Sequence, residues 1–183
     1  MNYLLIAVFF ILFDFNITLA GVSFSLLPGA VGYLLLYMAM KQLQKDSPVL
    51  EKCKPLSLFL ACYSFITLIC SVTGLTANPL VSYIIGLFDM SGKLFITYQL
   101  VQGLKELELS RNIQFYSTRL QKYWALIVSF QIFSLLLITI LLLSVLSTII
   151  SFLFSILFFL TLNIARINWN NGTAQYVSNE GGK

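Results

Sequence analysis

The chain has 183 residues, of which 58% are hydrophobic and 10% charged; a soluble domain carries about 25% charged residues, so the composition excludes an ordinary water-soluble domain and points to an integral membrane protein. The net charge of +4 does not indicate a nucleic-acid partner, because the basic residues lie beside apolar segments, as topology signals do, and form no patch of their own. Histidine is absent, which removes the commonest general base and metal ligand.

A bilayer crossing needs about 20 mainly apolar residues. The first predicted helix covers 3–21, YLLIAVFFILFDFNITLAG. It has no basic leader, carries Asp14 and is soon followed by another apolar run, so it is expected to be retained rather than cleaved as a signal peptide. The second helix covers 27–43, with Pro28 near its start, where a missing N–H costs nothing. A polar loop with Lys41, Lys45, Lys52 and Lys54 leads to the third helix, 56–74. The turn LTANP, broken by Asn-Pro, precedes the fourth, 80–104.

In the polar segment that follows, Leu109, Ile113, Tyr116, Leu120 and Tyr123 step by four or three. That spacing predicts a helix over about 106–121 on the membrane surface. Residues 123–165 hold no charge, a run too long for one helix across a core about 30 Å thick. Two helices, 123–144 and 148–166, are predicted, with the turn near SVLSTIIS. The polar stretch 167–183 is expected to be a disordered tail.

These elements make an all-α fold: a polytopic transmembrane bundle of six helices as three hairpins, in one domain over 1–166. With both termini in the cytoplasm, Lys41, Lys45, Lys52, Lys54, Lys105, Arg111, Arg119, Lys122, Arg166 and Lys183 all fall on the inner side, and only Lys93 of the basic residues does not. A bias this complete supports both the count and the orientation. The three cysteines, Cys53, Cys62 and Cys70, show no paired spacing and are expected to be reduced structural residues.

Three charges fall inside predicted helices: Asp14, Asp89 and Lys93. An ionised group at a helix centre costs about 2.5–3.5 kcal/mol on insertion scales. Asp89 and Lys93 are four apart with the acid nearer the N-terminus, the better orientation for a pair on one helix. Counting from the outer helix ends, Asp14 lies at a depth of about 10 Å and Asp89 at about 14 Å, so the two carboxylates can share a level. Ser82 and Thr97 fall on the same face of the fourth helix as the pair, and Thr18 falls near Asp14 on the first. Asp14, Asp89, Lys93, Thr18, Ser82 and Thr97 therefore form the candidate intramembrane polar site. It is either a buried clamp between the first and fourth helices or a relay or binding site for a proton or polar solute.

No zinc-protease, nucleophile-elbow, Walker or dinucleotide-binding motif occurs. No enzyme activity, catalytic residue, metal or cofactor is expected.

The segment FDFNITLAGVSFSLLPGAVGYLLLYMAMKQL, residues 13–43, resembles a group of small uncharacterised integral membrane proteins of Gram-positive bacteria. Phe13, Asp14, Leu27, Pro28, Gly32 and Tyr33 carry the resemblance. It implies a six-helix, multi-pass protein of the bacterial cytoplasmic membrane and no particular activity. Two function classes follow. One is a small-solute or proton-coupled transporter, or a transport accessory, working through the polar site. The other is a non-transporting interaction protein, such as an immunity, assembly or regulatory subunit, with a protein partner or a homo-oligomer in the lipid bilayer.

Overall fold

The computed structural model describes residues 1–13, 16–19, 22–25, 29–44, 47–73, 78–111, 113–136 and 141–180, with the backbone alone given for 16–19, 22–25, 79, 141 and 172–180. The framework is all-α. Six helices are present among the described residues: α1 (Asn2–Leu12), α2 (Gly29–Leu43), α3 (Pro48–Val72), α4 (Pro79–Arg111), α5 (Ser117–Leu136) and α6 (Leu141–Glu180). The chain forms two compact units, one of Asn2–Leu100 and one of the residues from Val101 onward with Met1.

The first helix is shorter than expected. It stops at Leu12, and Asn16–Leu19 (β1) and Val22–Ser25 (β2) form an antiparallel hairpin between α1 and α2. The register pairs Asn16 with Ser25, Ile17 with Phe24, Thr18 with Ser23 and Leu19 with Val22. Apolar positions thus oppose apolar and polar oppose polar. The sequence NITLAGVSFS has the period of a strand, is rich in β-branched and aromatic residues, and has Gly21 at its centre. Asp and Asn, the residue types at 14 and 16, are poor helix formers, because their side chains can hydrogen-bond the backbone in non-helical conformations.

Among the described residues, three helices are long and apolar enough to cross a membrane: Pro48–Val72, Leu80–Arg111 and Leu142–Asn171, three of the six expected crossings. At 1.5 Å per residue α1 extends about 16 Å and α2 about 22 Å, both short of a core about 30 Å thick. The fifth helix begins earlier than predicted, so Arg119 and Lys122 lie in its first two turns and dilute its apolar length.

Within the first unit, α1 packs on α2 and α2 on α3. Leu4, Ala7, Val8 and Ile11 form the buried face of α1. A Cβ on Gly32 would lie 2.9 Å from Phe10 Cβ and 3.0 Å from Ile11 Cγ1, so only glycine permits the observed approach of α2 to α1. Ser57 Oγ donates to the Tyr33 carbonyl at 2.7 Å, tying α3 to α2. Ser47 caps α3 by accepting from the Leu50 N–H, with Pro48 in the first turn.

In the second unit α5 packs on α6. Ser134 of α5 meets Ser144 and Thr148 of α6, each hydroxyl pair at 3.1 Å. Ser144 and Thr148 were expected near the turn; they lie inside α6, which begins at Leu141. The aromatic ring of Phe154 stacks against Phe130 and Tyr123.

Among the described residues the predicted surface helix is not a separate element. Residues 106–111 continue α4, residues 113–116 are non-helical, and α5 starts at Ser117. Tyr116 adopts φ 55°, a left-handed backbone, just before α5, and its carbonyl accepts from the Arg119 and Leu120 N–H groups of that helix. The Glu108 carboxylate accepts from Phe115 N–H at 3.3 Å, Ser117 N–H at 3.1 Å and the Ser117 hydroxyl. It caps α5 from the preceding helix. Glu108→Ala strips three donors of their acceptor and should cost about 1–3 kcal/mol, read as a lowered midpoint of unfolding in detergent, with Glu108→Gln recovering only part.

The expected disordered tail is helical to Glu180. Tertiary contacts anchor its start. Asn168 Nδ2 donates to the Gln114 carbonyl at 2.8 Å, Trp169 stacks on buried Phe115 at 5.9 Å, and the Arg111 guanidinium lies 5.5 Å from the Trp169 ring centre.

Candidate functional site

The polar site assembles on α4. Lys93 Nζ lies 2.8 Å from Asp89 Oδ2, and the two side chains are 22% and 29% exposed. One helical turn separates the residues, so the lysine reaches back toward the helix N-terminus to meet the acid. Asp89 lies about 14 Å along α4 from Leu80 and Lys93 about 20 Å. Were α4 to span a core about 30 Å thick from Leu80, that would be its middle, where a lone charge is most costly. The pair carries no net charge, which removes most of that penalty.

Tyr63 of α3 completes the surroundings. Its hydroxyl donates to the Ile85 carbonyl at 3.0 Å, one turn before Asp89, and its ring centre is 4.9 Å from that of Phe88. Sequence reasoning missed Tyr63, whose only signal was a polar aromatic inside an apolar helix. Near the pair, α3 and α4 also touch where a Cβ on Gly92 would lie 2.7 Å from Leu60 Cδ2.

The remaining expected members are placed differently. Thr97 is buried, and its hydroxyl donates to the carbonyls of Lys93 at 2.7 Å and Leu94 at 3.1 Å, within its own helix. Ser82 is exposed near the start of α4. Thr18 lies on β1, its backbone paired with Ser23, and its side chain is outside the described residues, as is the whole of Asp14. The structure therefore joins Asp89 and Lys93. On α1 itself, the Ala7 carbonyl oxygen lies against α2, 3.3 Å from where a Cβ on Gly32 would stand.

Comparison with protein-family models, curated proteins and solved structures gives no match, so function rests on the residues and their geometry.

Proposed function

We propose that this chain is a multi-pass protein of a bacterial cytoplasmic membrane that works by associating with protein in the bilayer, not by passing a solute or catalysing a reaction. One observation carries this choice: the Asp89 charge is met at 2.8 Å by a lysine of the same helix. An acid neutralised in this way needs neither a permeating ion nor a second helix to lie at that depth.

Six crossings and cytoplasmic termini belong to the proposal. The one-sided distribution of Lys and Arg supports them. The shortness of α1 and α2 does not disturb the orientation. Whether that hairpin crosses fully or re-enters, α3 begins on the side where α1 began.

Transport is the second reading, favoured by the depth of the pair and by Tyr63 beside it. The two separate on water access. Thr97→Cys is close to isosteric and lies one turn beyond Lys93; it would be made in a chain lacking Cys53, Cys62 and Cys70. A membrane-impermeant thiol reagent is applied from each side of the membrane in turn. Association in a dry site predicts no labelling from either side. Rapid labelling from one side would transfer the assignment to transport.

A further inference from the structure

We infer that the β-hairpin opens an aqueous recess from the outer face of the membrane to about its middle, a site for water and small neutral polar molecules. This goes beyond the association reading and uses only its topology, in which α3 crosses outward from its lysines.

The depth is read along α3. Lys54 is its last charge, and Ser64 lies about 15 Å further on, the middle of a core about 30 Å thick. Ser57, Ser64 and Ser71 recur at a heptad spacing and so share one face of α3. That face meets α2 twice. Ser57 Oγ donates to the Tyr33 carbonyl at 2.7 Å, and a Cβ on Gly29 would lie 2.9 Å from Ser64 Oγ. Gly29 opens α2, so in this topology α2 reaches only to mid-membrane. α1 ends at Leu12, and Ile11 lies against Gly32, so α1 stops near the same level. The chain joins the two helices through β1 and β2, and β2 packs on α3. About 12 Å of α3 remains beyond Ser64 to receive it.

A two-stranded sheet at that depth needs partners for its backbone. The outer edge of each strand carries N–H and C=O groups with no further strand to pair them. Open sheet edges do not occur against acyl chains; they require protein or water. The register says which. It puts Asn16, Thr18, Ser23 and Ser25 at positions on one face and the apolar residues on the other. Complete alternation is the pattern of an antiparallel sheet with one face packed and one solvated, whereas strands buried on both faces read as continuous apolar runs. Water therefore covers the polar face.

The recess has a floor. Below Gly29, Tyr33, Leu36 and Met40 of α2 and Leu4 and Ile11 of α1 are fully buried, and Gly32 brings the two helices into contact. Residues 16–25 and 64–73 carry no charge. The recess thus offers neutral hydrogen-bonding groups and suits water or an uncharged polar molecule.

The test is a ladder of cysteines along the serine face of α3, each in a chain lacking Cys53, Cys62 and Cys70. A small, membrane-impermeant methanethiosulfonate is added outside intact cells; a thiol must ionise in water to react with it. Ser71→Cys and Ser64→Cys should be modified at least about tenfold faster than Ser57→Cys, which lies beneath the floor. Thr18→Cys and Ser23→Cys should outpace Ile17→Cys and Phe24→Cys by a similar factor. Thermal midpoints equal to that of the parent show that the variants are folded. The unsubstituted chain gives a second readout: in membranes, residues 16–25 should take up deuterium at least about tenfold faster than 2–12 and 29–43. Modification of the hairpin without Ser64→Cys would overturn the recess and lay the hairpin on the membrane surface. Protection of every position, with slow exchange at 16–25, would overturn it in favour of a protein cover. Ser57→Cys reacting as fast as Ser64→Cys would remove the floor and make the recess a path. Reaction from the inner side alone would overturn the recess together with the topology.

Discussion

Lys93→Leu should destabilise the protein by about 3 kcal/mol, the cost of an unpaired carboxylate at the centre of a membrane helix. The reason is positional. In the proposed topology Asp89, a short side chain, lies about 14 Å from the outer end of α4 and cannot reach water without moving the helix. Asp89→Leu should cost less, because a lysine left alone extends its long stem toward the interface. The double replacement Asp89→Leu, Lys93→Leu should unfold near the original midpoint or above it, since exchanging an ion pair for apolar groups is often neutral or stabilising. Unfolding of the four proteins in mixed micelles gives the coupling energy directly as a double-mutant cycle. A double variant as unstable as Lys93→Leu would mean that Asp89 is held by something other than Lys93.

Gly32→Val should be the most damaging single change at the α1–α2 contact. Its Cβ would stand 2.9 Å from Phe10 Cβ, 3.0 Å from Ile11 Cγ1 and 3.3 Å from the Ala7 carbonyl oxygen. The last is backbone, and a Cβ atom cannot be rotated out of the way. Overpacking of this kind costs about 1–3 kcal/mol, and the branched methyl groups add to it. Gly32→Ala recovers up to about 1 kcal/mol from helix propensity and should be milder. The two variants and the native chain are compared by their midpoints of thermal unfolding in one detergent. The order native, alanine, valine is expected; equal midpoints would mean that α1 does not press on α2 at Gly32.

The helical class was legible in the composition, and the ion pair in the spacing of Asp89 and Lys93, because both depend on local rules. The β-hairpin was masked by hydrophobicity. Residues 16–25 are apolar enough to prolong a helix, and only their alternation betrays the strands. The end of α4 was obscured by periodicity that ran smoothly from Leu109 to Tyr123, across a break made by Tyr116 and capped by Glu108. A capping residue so far from its donors leaves no short-range pattern. The polar stretch after Arg166 read as a tail because its composition is that of a tail. Its helix is anchored by Trp169 and Asn168 on the turn at 114–115, a contact some 54 residues apart in sequence. Tyr63 was invisible for the same reason, its role being set by α4.

The central claim is that α4 carries a neutralised ion pair across the bilayer, from an outer turn to a basic inner segment. The most direct measurement places one cysteine toward each end of that path, Thr73→Cys at the exposed C-cap of α3 and Leu109→Cys near the far end of α4, where the residue is 79% exposed. Each is made without the native cysteines, and intact cells are treated with an impermeant maleimide. The account predicts that Thr73→Cys is labelled in intact cells and Leu109→Cys only after the membrane is permeabilised. Labelling of both in intact cells, or of Leu109→Cys alone, would contradict it.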